Sequence, residues 1–116
     1  MKGVVFLGDR ELEIREIPEP KPGPGQVVIA MKGSGLCGSD LRPYRTPKEQ
    51  KGEPANLKVG GHEPCGVIAE VGQGVANVKV GDRVMMHHYS GCGACRMCRI
   101  GYSQMCLHYH DTYGST

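Results

Sequence analysis

From Val4 to Leu7 the chain is a short apolar run, and beyond Gly8-Asp9 the apolar residues Leu12, Ile14 and Ile17 nearly alternate among charged neighbours. Near-alternation on both sides of a turn signal predicts a β-hairpin. Pro18 to Gly25, P-E-P-K-P-G-P-G, cannot donate a regular hydrogen-bond ladder and is expected to run extended as a connector within one domain. A strand over Gln26 to Lys32 follows. Thr46 to Lys58 is polar and without period, so it reads as a solvent loop. Val67 to Val71 predicts a further strand. Gly72-Gln73-Gly74-Val75, then Val78 and Val80, lead to the turn Gly81-Asp82-Arg83. One more strand, Val84 to Met86, ends at His87, His88 and Tyr89. Eighteen glycines and eight prolines punctuate the chain too often for long helices, so the pattern predicts a mainly β fold of short strands.

Composition adds a constraint. The chain has 116 residues, one domain's worth, and its 39% hydrophobic content includes a single Phe and no Trp, which promises only a modest core. Such a domain needs a staple. A formal net charge of +2 is too small to imply nucleic acid or membrane surfaces as partners. No apolar stretch approaches the ~20 residues of a spanning helix. Nothing near Met1-Lys2-Gly3 resembles a secretory signal, so a soluble, cytoplasmic chain is expected.

The staple is visible in G-C-G-A-C-R-M-C-R-I-G-Y-S-Q-M-C, residues 91–106. Cys92, Cys95 and Cys98 are spaced C-x2-C-x2-C, so one tight loop can turn three thiolates inward, and Cys106 returns after seven more residues as a fourth. Four thiolates suit a closed tetrahedral zinc. The same donors could hold an iron–sulfur cluster, although bacterial ferredoxin runs place the last cysteine after three residues and follow it with proline, whereas Leu107 follows Cys106. Disulfides would require two bridges among cysteines three apart in one loop, and in a cytosolic chain such spacing points to metal.

Gly33 to Gly38, G-S-G-L-C-G, satisfies G-x-G-x-x-G after a strand. A dinucleotide site is nevertheless rejected, because only Ser39 to Arg42 precede Pro43, with Pro47 four residues on, leaving no helix to meet a pyrophosphate. A glycine-rich bend is expected instead, with a short helical turn beginning at Ser39 or Asp40. Cys37 alone reads as a buried structural thiol, and Cys65, between Pro64 and Gly66, as a small apolar filler. His87 and His88 are adjacent on a strand, so at most one can face a cleft as a substrate-pocket wall, and an ordinary surface position is the favoured expectation. His108 to Thr116 is polar and turn-rich and stops without a closing signal, as though the chain were cut.

Four motifs then converge: Cys37-Gly38-Ser39-Asp40; Gly61-His62-Glu63 with Gly66 and Gly72; Val80-Gly81-Asp82-Arg83-Val84; and the four cysteines with steps of 3, 3 and 8 residues. Together and in this order they resemble the medium-chain, zinc-dependent alcohol dehydrogenases, including the sorbitol and threonine dehydrogenase branches. The resemblance covers essentially all of residues 1–116 and corresponds to most of the N-terminal catalytic domain of that family. It implies a GroES-like, partly open barrel of short strands, with residues 91–106 as a structural zinc lobe, truncated before the Rossmann domain.

The same resemblance implies roles for individual residues. Cys37 and His62 match the first two ligands of the catalytic zinc, a site type with an open fourth position. Glu63 matches the glutamate beside that metal and could bind it in place of an absent ligand. Asp40 matches the acid that orients the zinc-bound histidine, and Ser39 the hydroxyl that hydrogen-bonds the substrate alcohol and starts its proton toward solvent. The implied chemistry is Lewis-acid activation of a small alcohol or polyol, with hydride passing to NAD or NADP. Arg42 departs from the pattern, standing where many members place a proton-relaying histidine. The third zinc ligand and the cofactor domain are expected beyond Thr116, so the chain alone is not expected to turn over. A homo-oligomer is compatible with the family. A non-catalytic zinc scaffold or interaction module is the alternative.

Overall fold

The alternation after Gly8 does close a hairpin: in the computed structural model, which describes residues 1–51, 59–108 and the backbone of 111–112, β1 (Lys2–Gly8) pairs antiparallel with β2 (Glu11–Glu16). The turn lies one residue later than its sequence signal. Gly8 opposes Glu11, so the two-residue loop is Asp9-Arg10, with φ of 50° and 66°. Positive φ at both central positions is the type I′ geometry whose twist matches the flanking strands.

The principal sheet contains β3 (Val27–Gly35), β4 (Glu63–Val71) and β5 (Arg83–Met85), antiparallel in the order β3-β4-β5. The connector before β3 carries no ladder, as its prolines require. β3 continues through Gly33-Ser34-Gly35 instead of bending there, because these residues pair with Cys65, Pro64 and Glu63 on β4. The expected glycine-rich bend is therefore confined to the residues after Gly35. β4 likewise begins four residues before the predicted Val67. Pro64 does not interrupt it: the proline is buried, and its carbonyl accepts the Met86 N–H at 3.1 Å. These extensions bring the end of β3 and the start of β4 side by side.

Residues 44–51 form a strap over the hairpin turn, more than the solvent loop expected from their polarity. Asp9 N–H donates to the Thr46 carbonyl at 3.1 Å and Arg10 N–H to that of Tyr44 at 2.8 Å. Lys48 Nζ reaches Glu11 Oε2 at 2.5 Å. The remainder of that expected loop, 52–58, lies outside the described residues, as does most of the C-terminal stretch from 109.

The core is as small as the composition indicated. Among the described residues only Val5 and Ile68, each 2% exposed, are large side chains buried outright. No helix among them is long and apolar enough to cross a membrane.

Candidate metal centres

Two clusters of donors emerge. The first forms where β3 hands over to helix. Cys37 is extended (φ −78°, ψ 154°) and precedes a 3-10 turn, Gly38–Asp40, which runs directly into α1 (Leu41–Arg45). Pro43 falls within the first turn of α1, where a missing N–H has no intrahelical partner to lose, so it does not stop the helix. Asp40, 7% exposed, faces back: its Oδ2 accepts the Cys37 N–H at 2.9 Å, and its Oδ1 lies 3.1 Å from His62 Nδ1.

A carboxylate only accepts, so His62 Nδ1 carries the proton and Nε2 presents its lone pair. Ser39 Oγ lies 3.2 Å from that nitrogen. Cys37, Ser39, Asp40 and His62, two segments more than twenty residues apart, are thus brought together. The Cys37 thiol is pulled below its ordinary range, first by hydrogen bonding with the Ser39 side chain and backbone and then by its hydrogen bond with His62. Burial pushes His62 down, but the Cys37 hydrogen bond and the Asp40 carboxylate outweigh it, and His62 is raised.

Glu63 is placed differently. It pairs with Gly35 across the β3–β4 ladder, and its carboxylate occupies the space a Cβ at Gly35 would need. It does not close on Cys37 and His62 as a third donor, since the one group of three or more His, Cys, Asp or Glu donors among the described residues is the cysteine cluster.

His88 corrects a surface expectation. Its ring stands edge-on to His62 with centroids 4.8 Å apart and lies 4.1 Å from Tyr89. His87 stays exposed. The pair lies between β5 and Tyr89–Ser90 and not on a strand, so strand alternation does not explain why one turns inward, and the facing partner, twenty-six residues away, leaves no local trace. Burial and then the neighbouring His62 and His87 hold His88 below the usual histidine range, partly offset by Glu63. Cys65 is exposed, not a filler, because it points away from the buried side of β4 that Pro64 and Gly66 share.

The second cluster is the cysteine lobe. β6 (Tyr89–Ser90) leads out, α2 (Arg96–Arg99) and a 3-10 turn (Ser103–Met105) form the loop, and β7 (Asp111–Thr112) returns beside β6, closing its base. All four sulfurs lie within 4.8 Å of one another. None is bonded to another, which removes the disulfide reading. Cys95 Sγ is 3.5 Å from Cys98 Sγ and 3.8 Å from Cys106 Sγ. A tetrahedron with zinc–sulfur arms near 2.3 Å has edges of about 3.8 Å, so the cage already has the dimensions of that ion.

Backbone N–H groups are aimed at the sulfurs: Cys92 and His108 donate to Cys106 Sγ and Cys95 donates to Cys92 Sγ, each at 3.3 Å. N–H donors from Cys98 and Leu107 bring Cys95 down to about 6. Burial and the neighbouring sulfurs push Cys98 up to about 12. Donated N–H groups favour the thiolate at Cys95 while burial and the crowded sulfurs favour the thiol at Cys98, so a cation among them is what would let all four ionise. Gly91 is required for the approach, since a Cβ there would sit 2.7 Å from Cys98 Sγ.

Residues 23–115 match the family model of the alcohol dehydrogenase GroES-like domain. The chain is 42% identical over 111 residues to YphC of Escherichia coli (strain K12), described as an uncharacterized zinc-type alcohol dehydrogenase-like protein, covering 91% of this chain and 31% of that one. It is 36% identical over 94 residues to L-threonine 3-dehydrogenase of Pyrococcus horikoshii, covering 81% and 27%. The crystal structure of the alcohol dehydrogenase rspB from E. coli CFT073, complexed with cofactor NADH, superimposes with a TM-score of 0.78 at 36% identity, covering 99% of this chain and 32% of that one. The chain thus spans about a third of the length of the relatives it matches.

Proposed function

This chain belongs to the alcohol dehydrogenase GroES-like family, and from that premise we propose that it is the zinc-binding catalytic domain of an oxidoreductase passing hydride between a small alcohol or polyol and NAD or NADP. The observation that carries this reading is the convergence of Cys37, Ser39, Asp40 and His62 within hydrogen-bonding reach. In this reading Cys37 and His62 hold a catalytic zinc, and Cys92, Cys95, Cys98 and Cys106 hold a structural one.

Cys37 and His62 would hold the zinc, which when bound would supply Lewis acidity toward an alcohol oxygen. The chain's own residues do the rest. Asp40 fixes the His62 tautomer so that Nε2 is free to ligate. Ser39, already beside Nε2, offers an O–H that can orient an alcohol and take up its proton. Glu63 stands at the adjoining strand position with its carboxylate against Gly35. Arg42 stays charged and cannot take a proton from Ser39, so the proton leaves by another route, water being the simplest. Thiolates that must remain reduced fit a cytoplasmic setting.

The lobe by itself would serve a non-catalytic zinc scaffold equally well. A scaffold has no use for a buried carboxylate aligning a histidine against a serine hydroxyl, and that is the feature separating the two readings. Cobalt(II) substitution tests the proposal: the chain should show one tetrathiolate spectrum and a second, weaker one that Cys37→Ser and His62→Ala each abolish. A single tetrathiolate spectrum, unchanged in both variants at saturating cobalt, would refute the catalytic reading and leave the scaffold.

A further inference from the structure

The first cluster depends on two segments that share no ladder of their own at the donor residues: the turn Cys37–Asp40 and the approach Val59–Gly60–Gly61 to His62. Both are gripped by the N-terminal hairpin. On one side, Val5 bridges to Val59, and the Gly60 N–H donates to the Val4 carbonyl at 2.8 Å. On the other, the hairpin turn accepts and donates along residues 44–48, and Lys51 Nζ links the Phe6 carbonyl to that of Pro43, 3.0 Å away in α1.

Phe6, the single phenylalanine of the chain, sits between these grips. Its ring meets Tyr44 of α1 edge-on, centroids 6.0 Å apart at 67°. Its Cδ2–Cε2–Cζ edge covers Gly60 so closely that a Cβ there would overlap the ring, with Cζ only 2.9 Å away. Tyr44 is four residues after Asp40, about one helical turn, and Gly60 is two before His62. The ring is therefore a spacer between the element that carries Asp40 and the strand start that carries His62.

We infer that Phe6 is a positioning residue for the first metal centre: its thickness between Tyr44 and Gly60 sets the separation at which Asp40 and Ser39 engage the two nitrogens of His62. A rigid aromatic suits that task, having few torsions through which to yield, and packed interiors transmit displacements of this size instead of absorbing them. Among the described residues the aromatic partner of Phe6 is Tyr44, and the Phe6 ring covers Gly60, so the role is exerted through these two. The inference rests on the reading of Cys37 and His62 as ligands and adds a determinant outside the motifs that suggest it.

The test uses the full chain with Phe6→Ala, Phe6→Leu and Gly60→Ala. Two readouts separate position from general stability: the hydrogen-bonded Nδ1–H resonance of His62 in the NMR spectrum, and cobalt(II) affinity at the Cys37–His62 centre. The tetrathiolate cobalt spectrum of the lobe serves as internal control for folding. Phe6→Ala and Gly60→Ala should lose the Nδ1–H resonance and weaken cobalt binding at the first centre at least tenfold, with lobe affinity within twofold of the parent. Phe6→Leu, which keeps most of the thickness, should recover most of both signals. If Phe6→Ala fails to hold its lobe spectrum, the comparison of Phe6→Leu with Gly60→Ala decides. An unchanged Nδ1–H resonance in any lobe-competent Phe6→Ala or Gly60→Ala chain overturns the inference. Absence of cobalt binding at Cys37 and His62 in the parent would instead refute the ligand reading, while the resonance would still report on Phe6.

Discussion

Asp40 is the residue on which the first centre turns. One oxygen accepts the Cys37 N–H and the other faces His62 Nδ1, so a single buried carboxylate sets both the backbone of one prospective ligand and the tautomer of the other. Asp40→Asn keeps the shape but replaces one acceptor with a donor. Either Cys37 N–H loses its partner, or His62 shifts its proton to Nε2 and withdraws the lone pair. Unpairing a buried group costs about 1–3 kcal/mol, and losing the partner that orients a ligating histidine weakens metal binding about 10–100-fold. Asp40→Asn should therefore melt at lower temperature and bind cobalt(II) more weakly at Cys37 and His62, with the lobe unaffected. Parent-like titrations would contradict the assignment. The four lobe cysteines were singled out by their spacing, whereas Cys37, Ser39, Asp40 and His62 were singled out by the family resemblance, Cys37 alone reading as a structural thiol. His88 was legible in neither way: it lies in the bend between β5 and β6, and the residue that comes to meet it, His62, is far away in sequence.

At the scale of elements, the hairpin offers a direct test of its turn. Arg10 occupies the left-handed region at φ 66°, where a non-glycine residue costs about 1–2 kcal/mol and glycine costs little. Glycine's greater unfolded-state entropy takes back roughly 0.5–1 kcal/mol. Arg10→Gly creates Asp-Gly, the favoured type I′ pair, and leaves Asp9 free to accept the Lys48 N–H at 3.3 Å. A gain of about 0.5 kcal/mol is expected, a rise of roughly 2–4 °C in thermal unfolding; a fall would mean that the Arg10 side chain matters more than its backbone. Gly91→Ala should act oppositely, weakening metal binding in the lobe by crowding Cys98 Sγ. The five longer strands were readable while their ends were not, and the short pair β6–β7 fell where the sequence showed only polar, turn-rich residues. β3 runs through Gly33 to Gly35 and β4 starts at Glu63 because the two strands satisfy each other's backbone, a tertiary gain that local glycine and proline signals oppose. The strap over the hairpin was hidden for the same reason, its polar residues serving backbone groups instead of water.

For the whole molecule, the decisive quantity is how little apolar surface is buried. With only Val5 and Ile68 fully enclosed among the described residues, burial at about 1.5–3 kcal/mol per such side chain leaves little to set against chain entropy. A structural zinc contributes about 10–16 kcal/mol in small metallodomains, comparable to an entire domain's stability. Cys95→Ser should accordingly leave an unfolded or aggregated chain, and unchanged thermal unfolding in that variant would show that the lobe is dispensable. The two centres should also part company under chelation. The lobe presents four thiolates already caged within 4.8 Å, with backbone N–H groups steadying their charge. The first centre presents only Cys37 and His62, with Ser39 beside them and Glu63 turned to Gly35. Affinity for zinc rests on the number of protein donors fixed in tetrahedral geometry, so the ion in the lobe should be held and the other released. Elemental analysis of this chain after gentle dialysis against a chelator should find close to one zinc per chain, and Cys98→Ser should bring it near zero. Two zincs retained per chain would mean that Glu63 swings off Gly35, or that a neighbouring copy lends a donor, to complete the first centre.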